Sequence, residues 1–373
     1  MTISKFKISV SDNEITDLNN RILNARWPDE LNNNKWALGT RLSFLQELAD
    51  YWKNNFDWRV HEKRLNDAGS FKYETSSGIK LHFLHSKSKK QDAIPLLMTH
   101  GWPGSVQEFL KIIPILNNGI NGVSFHVVCP SIPGYGFSDK PNKFGMSSEK
   151  VAPLFNELML SLGYKKYIAQ GGDWGATISK WIAELFPKNC IGLHLNLVPA
   201  FPPSDGSSME NLTEDETKGL ENFEKYQKTG LGYYQIQMTK PQSLGYGLND
   251  SPIGLAAWIV EKFHSWTNDD LDRLVISKDE VLSIICLYWF TQSITSSMRL
   301  YYENGLISFS PNYISTPTAG IIFDNEIVRP PKAWAEKIYN IVQWNRAAGG
   351  HFAAMENPEI LAKDIVSFTK EII

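Results

Sequence analysis

A chain of 373 residues, 42% hydrophobic and 21% charged, has material for a large core with one or two attached modules. A formal net charge of −3 with no dense basic face excludes a nucleic-acid binder, and no stretch reaches the ~18 apolar residues that span a bilayer. Three cysteines, at positions 129, 190 and 286, show no metal-ligand spacing and read as core thiols of a reducing compartment.

Met1 to Asp12 is polar and lacks the apolar core of a signal peptide, so a cytoplasmic protein is expected. Residues 1–70 form a helical arm packed over the main domain. Asp12 is expected to cap a first helix with Ile15, Leu18 and Ile22 inward, and a second follows Gly39 with Leu42, Leu45, Leu48 and Trp52 on one stripe. No chemical motif falls in this arm.

From Phe71 the pattern turns to strands, with a hairpin of 71–74 and 79–85 around Ser76-Ser77-Gly78. The unbroken apolar runs 94–98 and 125–129 suit strands buried on both faces of a parallel sheet. Helices over 106–116 and 149–162 separate them from runs at 167–169 and 191–195. That alternation predicts a mostly parallel, doubly wound α/β fold. Residues 201–315 break the rhythm with aromatic helical stretches, among them Tyr226, Tyr233, Trp258, Trp266 and Tyr288. They read as a helical cap across the C-terminal edge of the strands, where such sheets keep their ligands. Strands return at 319–323 and 341–344, and Asn357-Pro358 opens a last helix with Asn357 as its cap, so the core comprises 71–200 and 316–373.

The chemistry centres on Gln170-Gly171-Gly172-Asp173-Trp174-Gly175-Ala176. An apolar run leads into it and an amphipathic pattern (Ile178, Trp181, Ile182, Leu185) leaves it. Strand, Gly-rich turn and helix are the setting of a nucleophile elbow, with Asp where serine usually stands. A carboxylate there attacks an alkyl carbon and forms an ester. A Gly-rich turn with a helix-capping Asp would look the same in isolation; the other strand ends weigh against it. After the strand at 94–98 comes His100-Gly101-Trp102-Pro103-Gly104-Ser105, whose Trp102 N–H, with that of Trp174, can face an oxyanion. His100 itself reads as a structural turn histidine. After the last strand comes Gly349-Gly350-His351-Phe352, and His351 is the candidate base. An acid on the preceding strand end would orient it, and spacing leaves Asp324 and Glu326 both open.

His-Gly-Trp-Pro-Gly-Ser (100–105), Gly-Gly-Asp-Trp-Gly (171–175), Gly-Tyr-Gly-Phe-Ser-Asp-Lys-Pro (134–141) and Gly-Gly-His-Phe-Ala-Ala-Met-Glu-Asn-Pro-Glu (349–359) together resemble the epoxide hydrolases of the α/β-hydrolase fold, microsomal type. The likeness covers nearly the whole chain, including Arg26-Trp27-Pro28 and Phe56-Asp57-Trp58-Arg59 in the arm. It implies Asp173 as nucleophile, His351 as base and Glu326 as its acid, with Asp324 in place of the family's usual Pro. It also implies two cap tyrosines as donors to the epoxide oxygen, matching Tyr233 and Tyr301, each with a tyrosine beside it (Tyr234, Tyr302). The resemblance implies a cofactor-free hydrolase acting on epoxides, no metal site is expected, and the aromatic richness of the cap suggests small apolar substrates. A homodimer is compatible with the sequence without being read from it. A haloalkane dehalogenase and a catalytically silent binding scaffold are the alternatives.

Overall fold

The computed structural model describes residues 2–32, 35–203, 212–267, 275–305 and 312–373. Its strands are β1 (Ile3–Lys5), β2 (Ser70–Glu74), β3 (Lys80–Ser86), β4 (Ile94–Thr99), β5 (Phe125–Pro130), β6 (Tyr167–Gly171), β7 (Cys190–Leu195), β8 (Ile314–Asn325) and β9 (Tyr339–Gly350). They join one sheet in the order β1-β2-β3-β5-β4-β6-β7-β8-β9. The first strands run antiparallel, up to the β3–β5 pair, and every pair from β5 to β9 is parallel. The central strands are apolar on both faces because helices cover both: Leu96, Leu97, Val127, Val128, Ile168 and Ala169 are fully buried.

Helices α1 (Asp12–Leu23), α2 (Leu42–Asn54) and α3 (Trp58–Asp67) form the arm. Around the sheet lie α4 (Ile112–Asn118), α5 (Ser148–Ser161) and α6 (Asp173–Leu185). The inserted helices are α7 (Glu214–Thr229), α8 (Gly232–Thr239), α9 (Pro241–Leu248), α10 (Pro252–Ser265), α11 (Lys278–Phe290) and α12 (Ile294–Gly305). The chain closes with α13 (Lys332–Ala335), α14 (Ala353–Glu356) and α15 (Pro358–Ile372). Among the described residues no single helix is long and apolar enough to cross a membrane; the apolar pair α11 and α12 bends by 89° at its break. All three cysteines are buried and free, and burial raises each thiol's pKa.

The structure departs from the sequence reading in places with identifiable causes. Ser11, not Asp12, caps α1, in a reciprocal box with Glu14. The helix expected over 106–116 is broken into a 3₁₀ turn (Val106–Phe109) and α4, because Pro114 has no N–H for Leu110 and is tolerated only in a first turn. Strand β8 starts at Ile314, inside the stretch assigned to the cap; Pro317 hides it, and a register shift between Ile314 and Pro317 absorbs the proline. Strand β9 runs to Gly350, past the apolar stretch, because it is a sheet edge that tolerates polar residues. Asn357 precedes α15 without capping it; its amide donates to the Ala348 carbonyl. Residues 204–211, 268–274 and 306–311 of the expected cap lie outside the described residues.

The arm does more than cover the core. Its strand β1 extends the sheet beside β2, and its helices grip the inserted ones. Thr40 donates to the Ala257 carbonyl (2.6 Å), Tyr51 to Asp279 (3.0 Å), Arg21 to Asp250 (2.9 Å), and Lys278 pairs with Glu47. Trp36 stacks on His264 at 3.6 Å between ring centroids.

Candidate active site

Sheet register sets the site. Thr99 of β4 pairs with Gly171 of β6, so the loops that follow, carrying Trp102 and Asp173, leave the sheet side by side. Asn325 of β8 pairs with Gly350 of β9, which places Glu326 next to His351. Each partner is thus one to three residues past a strand that is itself paired in the sheet.

Asp173 opens α6 with φ of +50°, a left-handed conformation that costs a non-glycine residue about 1–3 kcal/mol and raises its side chain above the sheet. The turn closes only over glycines. A Cβ on Gly175 would lie 1.9 Å from the Thr99 carbonyl oxygen, and one on Gly101 would lie 2.0 Å from Asp173 Oδ1.

The backbone N–H groups of Trp102 and Trp174 both donate to Asp173 Oδ1, at 2.8 and 2.7 Å. Oδ2 is left facing His351 Nε2 at 3.3 Å. The other ring nitrogen, Nδ1, is 2.6 Å from Glu326 Oε1, which also accepts from the Ile327 N–H at 2.7 Å. Asp324, the other acid left open by spacing, instead faces Arg346 at 3.5 Å and is half exposed. Burial alone would lower the His351 pKa, but Glu326 and Asp173 outweigh it and hold the imidazole well above its ordinary value. His351 N–H donates to the Trp266 carbonyl at 2.8 Å, and Glu356 accepts from the Gly350 and Phe352 amides at 3.0 Å each. The loop bearing His351 is therefore pinned from both sides.

His100 is turned away from this chemistry. Its Nε2 accepts from Ile132 N–H (3.3 Å) and its Nδ1 donates to the Gly101 carbonyl (2.9 Å), and burial lowers its pKa to about 4.

Helices α8 and α12 supply the roof. Tyr233 stacks on the Trp102 indole at 5.4 Å, and Tyr301 meets Trp174 edge-on at 4.8 Å. Both tyrosines are buried, and burial lifts both hydroxyl pKa values well above the ordinary one. Of their neighbours, Tyr302 packs against Phe144, and half-buried Tyr234 meets Tyr301 edge-on at 5.2 Å. Tyr226 donates to the Tyr233 hydroxyl at 3.1 Å. The Tyr301 hydroxyl lies in reach of Trp174 and Tyr233 without a hydrogen bond of good geometry among the described residues. Among those residues no three His, Cys, Asp or Glu side chains converge as metal ligands.

The sequence matches the family profile "Epoxide hydrolase N terminus" over residues 3–109 and "alpha/beta hydrolase fold" over 94–223. It is 40% identical to epoxide hydrolase 1 of Sus scrofa, over 98% of this chain and 88% of that one. The chain belongs to the epoxide hydrolase family. The crystal structure of juvenile hormone epoxide hydrolase from the silkworm Bombyx mori superposes with a TM-score of 0.92 at 34% identity, covering 100% of this chain and 95% of that one. The epoxide hydrolase of Aspergillus niger gives 0.91 at 31%, covering 100% and 97%. The fold is accordingly the α/β-hydrolase fold, with the Gly-rich turn that carries Asp173 between β6 and α6.

Three contributors to this epoxide hydrolase site escaped the sequence reading. Lys262 places its ammonium 4.2 Å from the Tyr233 ring centroid, Trp266 lies 5.0 Å from the His351 ring, and Glu108 sits beneath Asp173. Only Glu108 had a local signal, the Ser105-x-x-Glu108 capping pattern, and that signal concerns the backbone.

Proposed function

We propose that this chain hydrolyses small apolar epoxides to vicinal diols through an ester on Asp173. The observation that carries the reading is the division of labour between the two oxygens of that carboxylate. Oδ1 is held by two amides, so Oδ2 is the oxygen free to attack a ring carbon. Tyr233 and Tyr301 donate to the epoxide oxygen, and one gives its proton to the alkoxide as the C–O bond breaks.

Ester formation then changes His351. Two carboxylates hold its pKa up; alkylation neutralises one of them, so the pKa falls and the imidazolium gives its proton to solvent, regaining it when the carboxylate returns. The group becomes a base when a base is required. It takes a proton from water, whose oxygen bonds to Cγ of Asp173. Oδ1 becomes the oxyanion between amides already 2.7 and 2.8 Å away, so little reorganisation is needed. Cleavage of the Cγ–Oδ2 bond releases the diol, which carries Oδ2 away and takes the proton from His351. The proton left on the new carboxyl returns to the tyrosine. The family assignment favours an epoxide over an alkyl halide, and the intact Asp–His–Glu array favours an enzyme over a silent scaffold. Aromatic walls suit apolar or aryl epoxides.

One turnover of styrene oxide in heavy-oxygen water, with enzyme in excess, tests the scheme. The diol is expected to carry ordinary oxygen, with the label in the peptide containing Asp173. Label passing directly into the diol would mean that water attacked the epoxide itself.

A further inference from the structure

The two tyrosines of the roof are not held alike. Tyr226, in the last turn of α7, and Tyr233, in the first turn of α8, face each other across the junction of the two helices. The Tyr226 ring lies against Gly230 of that junction, where a Cβ would come within 2.4 Å of it, so the glycine gives the ring its place. Phe223 stacks on it with centroids 6.5 Å apart. From there the Tyr226 hydroxyl donates to the Tyr233 oxygen at 3.1 Å. Tyr301 has no equivalent among the described residues, since the Trp174 indole is in reach but not in hydrogen-bonding geometry.

A phenol has one proton to give and lone pairs with which to accept. Donation from Tyr226 uses a lone pair of the Tyr233 oxygen and leaves its own proton free for the epoxide. Once that proton has moved to the alkoxide, the same contact is charge-assisted and roughly twice as strong as a neutral hydrogen bond. The Lys262 ammonium, paired with Glu261 and 4.2 Å from the Tyr233 ring centroid, favours negative charge on this ring as well. Burial raises the pKa of both hydroxyls, and Tyr233 is the more deeply buried of the two. Charge arising on Tyr233 is therefore eased by movement of the Tyr226 proton toward it.

We propose that Tyr226 is a positioning residue of ring opening: by donating to Tyr233 it makes Tyr233, and not Tyr301, the tyrosine that protonates the alkoxide, and it shares the charge left behind. The inference rests on the ester mechanism proposed above. As Asp173 Oδ2 bonds to the ring carbon and the C–O bond breaks, the Tyr233 proton passes to the alkoxide oxygen and the Tyr226 proton shifts toward Tyr233. Tyr301 donates a hydrogen bond and keeps its proton. The proton released by the carboxyl after ester hydrolysis restores the pair.

Tyr226→Phe removes the hydroxyl and keeps the ring, and rapid-quench measurement of adduct formation and decay on Asp173 with styrene oxide reads the result. Alkylation is expected to slow by about 3- to 10-fold, the worth of one hydrogen bond, with ester decay at the wild-type rate. The same substitution is then made in two further backgrounds. In Tyr301→Phe it should cost at least as much, because ring opening there runs through Tyr233 alone. In Tyr233→Phe it should cost nothing more, because the group it serves is gone. A Tyr226→Phe chain that alkylates at the wild-type rate overturns the proposal. So does an equal loss in all three backgrounds, the mark of a role in packing only. Should Tyr226→Phe not fold, Tyr226→Leu takes the same comparison. A Tyr233→Phe chain that alkylates as fast as wild type would instead overturn the donor role of Tyr233 itself, and this inference with it.

Discussion

The floor and the roof of the site are built on different physics. The floor is Asp173, His351, Glu326 and two amides, each one to three residues beyond a parallel strand and joined by contacts of 2.6 to 3.3 Å. The roof is Tyr226, Tyr233, Tyr301, Lys262 and Trp266 on inserted helices, held by ring contacts with centroids about 5 Å apart. A floor assembled from strand register has no spare parts, since it holds one imidazole between Asp173 and Glu326. A roof of packed aromatics has overlapping contacts and two hydroxyls for one oxygen. Losses in the floor should therefore be steep and losses in the roof graded.

The largest effect belongs to the floor. His351→Gln removes the base from the second half-reaction only, so alkylation should proceed and the ester persist, with turnover down by about 10²- to 10⁴-fold. Glu326→Gln should fall in the same direction but less far, because the Ile327 N–H and the pinned loop still place the imidazole. Intact-protein mass after mixing with styrene oxide reads both variants. If neither accumulates adduct, the floor does not divide the reaction as described. For the roof, Tyr233→Phe or Tyr301→Phe alone should slow alkylation by about 10- to 100-fold, the worth of one hydrogen bond to a developing charge, and the double variant should be near inactive. Equal losses in single and double variants would mean that the tyrosines act as one unit, and the contrast with the floor would fail.

The same contrast explains what could be read from the sequence. The order elbow Asp, acid, His is visible because strand ends are marked by apolar runs and glycines. Asp324 and Glu326 lie two apart at one strand end, on the same side of an extended chain, so their pattern is identical. What separates them is that β8 stops at Asn325, opposite Gly350, and only the residue beyond it meets His351. In the roof, Tyr301 and Tyr302 are adjacent on a helix, about 100° apart, and both are aromatic. Hydrophobic periodicity therefore cannot say which faces Trp174. The arm's grip on the cap, such as Glu47 with Lys278 across 231 residues, has no sequence spacing to betray it.

The smallest expected effect concerns stability and tests how dry the floor is. Glu108 titrates near 4.5 when unfolded and about 8 when folded, so the folded chain binds the extra proton. Folding stability attached to this group is intact below about pH 4.5, is lost progressively as pH rises toward 8, and loses no more above that. Glu108→Gln cannot ionise and keeps the acceptor for the Ser105 N–H. Its thermal midpoint relative to wild type should be nearly unchanged at acid pH and rise through neutrality, to a gain of about 2 °C or more in mildly alkaline buffer. A difference that stays flat from pH 5 to 9 would place Glu108 in contact with bulk water. The Tyr233→Phe variant serves as the control, because its hydroxyl titrates far above this range and its midpoint should not move with pH.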